Sequence, residues 1–205
     1  MRILVTGHRG NVGVPVARQL ADRGHDITGF DRVDGHDLLD PGQVKDAAAG
    51  CLSKCLAEDL CAGFTARTGI ATVALRPVWV WQPGQYRQIE EQWRAEPESE
   101  YEPYWEYGAF VDVRDVATAV ELALKVPVTG HHRALLCAAD IAATGPSLDM
   151  AARLAPDVTT RDPARYRADP WRALVDCPAA QAVLGWRPRY RWSGRGQRPG
   201  PGLRA

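Results

Sequence analysis

Apolar residues fall in short blocks along the first half of the chain, and the blocks alternate between two spacings. Ile3-Leu4-Val5 is a run of strand length, and Ile27 to Phe30 is a second. Between them Val12, Val16 and Leu20 recur at i, i+4 and i+8, so Val12 to Arg23 predicts a helix with one stripe against a sheet. Pro15 falls in its first turn, where a missing N–H costs little, and Gly24 suits its C-terminal cap. Pro41 to Ala49 predicts a short helix ended by Gly50. Cys51 to Arg67 predicts a longer one, with Leu52, Leu56, Leu60 and Phe64 in an i, i+4 stripe and Gly69 as terminator. Ile70 to Leu75 is β-rich and stopped by Arg76-Pro77, which predicts a buried parallel strand.

Val78 to Gln85 reads as a loop at the C-terminal end of that strand, the edge where open α/β sheets bind ligands. Gln88 to Tyr107 is acidic and aromatic. It reads either as an irregular surface segment packing its rings on the core or as a substrate flap. Ala109 to Val113 predicts a strand and Arg114 to Lys125 a helix, with Val116, Ala119-Val120 and Ala123-Leu124 turned inward. Ala134 to Ala138 predicts a further strand, and Ser147 the cap of a helix running to Ala155. Pro156 to Trp171 reads as irregular, Asp176 to Leu184 as a short helix, and the Gly-, Arg- and Pro-rich stretch from Ser193 to Ala205 as a disordered tail. Alternating strands and helices over 205 residues give an α/β class, with one domain and a small appended lobe.

Charge adds mainly exclusions. Lys+Arg 25 balances Asp+Glu 25, so nothing favours nucleic acid or an anionic membrane as partner. No apolar run approaches the roughly 20 residues that span a bilayer. Met1-Arg2-Ile3 leads straight into a strand, so no signal peptide is expected and the expected location is cytoplasmic. The five cysteines are Cys51, Cys55, Cys61, Cys137 and Cys177, an odd number that argues against a disulfide framework. Their spacing fits no usual zinc pattern, and small buried thiols on a helix are the expectation. His131-His132 reads as a surface pair in a loop.

The run that carries chemistry lies between the first strand and the first helix: Thr6-Gly7-His8-Arg9-Gly10-Asn11-Val12-Gly13, with Asp31 at the end of the second strand. Strand, glycine turn, helix, strand and acid in that order form a dinucleotide cradle. Gly7 permits the tight turn, Gly10 lets backbone N–H groups approach a pyrophosphate, and Gly13 lets helix and strand pack closely. The helix end offers its unpaired donors and positive dipole end to the phosphates. Asp31 is placed to accept the adenosine ribose hydroxyls. The plainer reading is a βαβ turn whose glycines serve packing alone.

These residues, with Asp37-Leu38, resemble the cofactor half of the extended short-chain dehydrogenase/reductases, and more narrowly the NAD-dependent epimerase/dehydratase group acting on nucleotide sugars. Four further blocks are similar and in the family's order. They are Leu52-Ser53-Lys54 with Ala57-Glu58, Leu75-Arg76-Pro77 through Gln85, Phe110 through Ala117, and Asp176 through Pro188. The resemblance implies a Rossmann-like, doubly wound parallel sheet reduced in strand number, with a small C-terminal substrate lobe. Residues 1–138 would bind the dinucleotide, with 77–108 as substrate loop or flap, and 139–192 would form the lobe. It implies cofactor contacts at Gly7, Gly10, Asn11, Val12, Gly13, Asp31, Arg32, Asp37, Leu38, Lys54 and Pro77, and a catalytic role for Lys54. Asp31 favours NAD over NADP, because a 2′-phosphate would meet its carboxylate; Arg32 softens that preference. The implied partner is a small sugar-like substrate. Related enzymes are commonly dimers built on a helix pair that includes the Lys54 helix, which raises a homodimer as one assembly.

The chain also departs from the pattern. The family uses a Tyr four residues before the Lys and a Ser or Thr on an earlier strand. Tyr exchanges a proton with substrate oxygen, and Lys lowers that Tyr's pKa and holds the ribose. Here position 50 is Gly, and no strand bearing such a Ser lies between Asp40 and Cys51. At roughly 30 residues per βαβ unit, over about 60 residues are missing. Tyr86, Tyr101, Tyr104 and Tyr107 are the candidates to replace the absent Tyr. The Ile70–Leu75 strand must then dock beside Ile3–Val5 or leave an unpaired apolar edge. The docked arrangement, in a sheet of three to five strands, is the expectation. Three functions follow: an NAD-dependent enzyme on sugar-type substrates, a non-catalytic dinucleotide-binding or sensing module, and a remnant with neither property.

Overall fold

A computed structural model describes residues 1–30, 47–101 and 107–192. Asp31, Arg32, Asp37, Leu38, Tyr104, the start of the helix expected from Pro41 and the tail from Ser193 lie outside the described residues. The chain divides into two compact units, Met1–Leu75 with Ala117–Ala134, and Arg76–Val116 with Leu135–Ala205.

The first unit opens as the pattern predicts. Strand β1 (Arg2–Thr6) leads through the glycine turn to helix α1 (Gly13–Asp22) and strand β2 (Asp26–Phe30). The strands pair in parallel, from Arg2↔Asp26 to Thr6↔Phe30. Ile3, Val5 and Ile27 pack on Val16, Leu20, Ala117 and Val120, because alternate strand residues share a face and the α1 stripe lies over it. Gly24 takes φ +80°, and its N–H closes the helix on the Ala21 carbonyl at 2.8 Å. Leu4, on the opposite face, is 62% exposed. A doubly wound sheet buries both faces, and here one face of β1 is left in water.

Helix α2 (Ala47–Thr68) is followed by β3 (Thr72–Pro77). The expected docking of β3 beside β1 is not made. Among the described residues β1 pairs with β2, and β3 pairs with β6 (His131–Leu136). Thr72 N–H reaches the Gly130 carbonyl and Val78 N–H the Leu136 carbonyl, each at 3.1 Å. Both numbers advance by six, so β3 and β6 run parallel. The edge that β3 takes is supplied by β6, a strand distant in sequence that no local pattern ties to it. In place of the expected single sheet of three to five strands, the described residues form three strand pairs.

Helix α2 also inverts its expected polarity. Glu58, Ala62 and Thr65 are its more buried positions, while Leu56 is 53%, Leu60 74% and Phe64 39% exposed. The inward face is held by polar links: Arg133 Nε donates to Glu58 Oε2 at 2.7 Å, and the Thr65 and Thr72 hydroxyls meet at 2.8 Å. Cys55 and Cys61, expected as buried thiols, are exposed. A Leu gains about 1.5–3 kcal/mol only when it leaves water. Leu60→Lys is therefore expected to change stability by no more than about 0.5 kcal/mol in urea unfolding; a loss above about 2 kcal/mol would mean that Leu60 is covered. His131, read as a loop residue, lies in β6, where its Nδ1 is 2.8 Å from Thr72 Oγ1.

In the second unit, β4 (Trp79–Trp81) pairs in parallel with β5 (Phe110–Asp112), so part of the expected 78–85 loop is a strand. Helix α3 (Gln85–Ala95) and a 3-10 turn at Pro97–Tyr101 replace much of the expected irregular segment. Tyr86, Ile89 and Trp93, at i, i+3 and i+7, face inward and join Trp81, Phe110 and Trp192 in an aromatic core. Trp81 and Phe110 stack at 4.6 Å, and Trp81 meets Tyr86 edge-on at 5.4 Å. Helix α4 (Val113–Lys125) follows β5 directly. The later helices are α5 (Ser147–Leu154), α6 (Pro163–Ala168) within a stretch read as irregular, and α7 (Pro178–Leu184). Ser147 is not the α5 cap: Pro146 stands there, and the Ser147 hydroxyl donates to the Arg172 carbonyl at 2.6 Å.

Candidate functional site

The glycine turn is built by close approach. Gly7 has φ +68°, in the left-handed region where a side chain is strained. A Cβ at Gly13 would lie 1.9 Å from the Gly7 carbonyl oxygen and 2.7 Å from His8 Cα. The start of α1 thus runs directly beneath the turn backbone, and Gly13 serves packing against the turn itself. A Cβ at Gly10 would come within 3.3 Å of the same oxygen. Gly10 N–H donates to that carbonyl and Val14 N–H to the Gly10 carbonyl, each at 3.0 Å, so both donors serve the turn. Val12 occupies the cap position and supplies no side-chain hydrogen bond. The first turn of α1 is closed by backbone, through the Val14 N–H to the Gly10 carbonyl, and not by a capping side chain.

A feature missed in the sequence sits beside it. A Cβ at Gly29 would fall 2.4–2.5 Å from the His8 imidazole. The ring lies on the β2 backbone two residues before Asp31, and only Gly at position 29 admits it. The signal was present: a lone Gly inside a strand marks close approach. Lys54 lies on α2 with an exposed side chain, and Pro77 closes β3. Asp31, Arg32, Asp37 and Leu38 lie outside the described residues.

Tyr86 does not serve as a replacement acid. It is buried and donates to Asp112 Oδ2 at 2.8 Å. Burial, reinforced by the Asp112 charge, raises its pKa above the usual phenol value. Tyr101 stacks under Arg153, with the guanidinium carbon 3.6 Å from the ring centre. Tyr107 is 45% exposed.

The block around Phe110–Ala117 forms a structural anchor. Asp112, fully buried, accepts Arg114 N–H and Nε at 2.8 Å through Oδ1, and Arg114 Nη2 at 2.7 Å through Oδ2. Asp115 Oδ2 accepts the backbone N–H groups of Arg189 at 2.9 Å and Tyr190 at 3.0 Å, and Trp186 Nε1 donates to the Asp115 carbonyl at 2.9 Å. Burial pushes the Asp115 carboxyl up to about 6. These bonds tie the Gly185–Pro188 block to the start of α4.

No protein-family model and no curated protein matches the chain. Solved structures do. UDP-galactose 4-epimerase is similar at TM-score 0.50 and 14% identity, over 93% of this chain and 94% of that one. The chain has the fold of the short-chain dehydrogenase/reductases. A superfamily protein of that name from Agrobacterium tumefaciens, solved with bound NAD, is similar at TM-score 0.51 and 15% identity, over 94% of each chain. On the short-chain dehydrogenase/reductase fold, the glycine turn follows the first strand, as it does here. No helix among the described residues is long and apolar enough to cross a membrane.

Proposed function

We propose that this chain is a dinucleotide-binding member of the NAD-dependent epimerase/dehydratase group that has lost most or all of its turnover. The observation that supports the reading is the glycine turn itself, which follows β1 with Gly7 at φ +68° and packs on the start of α1 through Gly13. A strand, glycine turn and helix in that order suit the pyrophosphate of a dinucleotide. Gly7, Gly10, Asn11, Val12 and Gly13 would hold it, and Asp31 the adenosine ribose, which favours NAD. NAD supplies hydride exchange when bound. The protein's share of such chemistry is a proton exchanged at substrate oxygen, and Gly50 stands where the Tyr for it would be. General acid–base catalysis is worth about 10²–10⁴-fold, so its loss reduces turnover by that order. Lys54 keeps a place as a ribose donor. The substrate class in this reading is a sugar or nucleotide sugar.

Isothermal titration with NAD tests the reading. Binding is expected in the unaltered protein, and Asp31→Ala is expected to weaken it about 10- to 100-fold through loss of a charge-assisted hydrogen bond of about 1.5–3 kcal/mol. No heat in either protein would leave the remnant reading alone. Rapid turnover of nucleotide sugars, abolished in Lys54→Ala, would restore the enzyme.

A further inference from the structure

Asp115 stands where the start of α4 meets the 185–192 segment, and its two carboxyl oxygens are treated unequally. Oδ2 accepts the Arg189 N–H at 2.9 Å and the Tyr190 N–H at 3.0 Å. Oδ1 is shielded from solvent and has no hydrogen-bond partner, in a residue that is 1% exposed. Burying a carboxylate is costly unless its charge is paired and its oxygens are bonded. The surrounding groups do not meet that need. Asp112, at the end of β5, adds a like charge. Arg114 adds an opposite charge, but its Nε and Nη2 are bonded to Asp112 and its guanidinium carbon lies 3.6 Å from the centre of the Tyr190 ring. Tyr86, from α3, gives its hydroxyl proton to Asp112. Arg189 and Tyr190, from the facing segment, reach Asp115 through their backbone N–H groups.

We propose that this junction is a proton-sensitive latch: a proton taken up on Asp115 Oδ1 tightens the 185–192 segment on α4, and its loss at neutral pH loosens it. Protonation removes the charge that burial penalises, while Oδ2 still accepts both N–H groups. Trp186 spans the same junction, its Nε1 donating to the Asp115 carbonyl at 2.9 Å. Trp192, at the far end of the segment, enters the aromatic core against Trp81 and Trp93. The latch thus holds one wall of that core. Burial pushes the carboxyl from its ordinary 3.8 up to about 6. Between those values the folded protein keeps a proton that the unfolded chain has released. The contribution to stability is therefore full below about pH 4 and is lost as pH rises through about 6. Every residue involved belongs to the second unit, so the latch does not rest on the dinucleotide turn.

The test is urea unfolding of the full chain at about pH 7.5 and about pH 5, beside Asp115→Asn. The variant keeps an acceptor for both N–H groups and carries no titrating group there, so the histidines cancel in the comparison. One proton retained over the unit between about pH 6 and about pH 5 lowers the unfolding constant of the unaltered protein about tenfold more than that of the variant. Amide exchange at Arg189 and Tyr190, corrected for its intrinsic pH dependence, is expected to slow by the same order in the unaltered protein and to stay level in Asp115→Asn. Should the variant not fold, the carbon NMR shift of the Asp115 carboxyl in the unaltered protein decides alone, with an expected midpoint at about 6. Parallel unfolding profiles, exchange that does not slow, or a midpoint near about 4 would each overturn the proposal.

Discussion

Gly13→Ala is expected to cost about 3 kcal/mol or more and to abolish NAD binding. The added Cβ would sit 1.9 Å from the Gly7 carbonyl oxygen and 2.7 Å from the Gly7 carbonyl carbon and His8 Cα. All three are backbone atoms, so no rotamer change relieves the overlap. The turn must move, and strain of this kind is among the few causes of losses above the usual 0.5–3 kcal/mol. Gly63→Ala is the control. It lies in α2 with nothing within 4 Å of an added Cβ, and Ala there should stabilise the helix by about 0.5–1 kcal/mol. Urea unfolding of the two variants separates a required glycine from a tolerated one. If both shift the midpoint equally, the close approach does not exist in solution.

Asp112→Ala is expected to be comparably severe, for an electrostatic reason. The carboxylate is 0% exposed and accepts four bonds, three from Arg114 and one from the Tyr86 hydroxyl. Removing it leaves a phenol O–H and part of a guanidinium without acceptors inside the second unit. Breaking a buried pair from one side costs about 3–5 kcal/mol. The Arg114 side chain is 42% exposed and can partly rehydrate, which places the expectation near about 3 kcal/mol. Arg114→Met alone should cost less, since Asp112 keeps the Tyr86 and backbone donors. The double variant should cost less than the two single losses added, because the cycle counts their shared contact once. Additive losses would show that the pair is not coupled.

Much of the first unit was legible because local patterns decide it. The i, i+4 stripe Val12, Val16, Leu20 and the compact apolar run Ile3-Leu4-Val5 specify α1 and β1 with no knowledge of the rest. The glycine turn was legible for the same reason, since steric exclusion at Gly7 and Gly13 acts within seven residues. The His8–Gly29 approach was not read, because it joins residues on two elements. In the 88–107 stretch the packing of a ring on the core was legible for Trp93, while the helical period of Tyr86, Ile89 and Trp93 was not read.

Sequence by itself determined the βαβ start, the glycine turn and the lack of a Tyr at position 50. Each depends on residue identity or on contacts within a few turns of chain. Only the tertiary structure decided which strand β3 would pair with and which face of α2 would meet water. A long-range pairing set the first: β6 supplies the edge on which β3 pairs. Competition for one inward face set the second, with the Glu58–Arg133 and Thr65–Thr72 contacts holding that face while Leu56 and Leu60 stay in solvent.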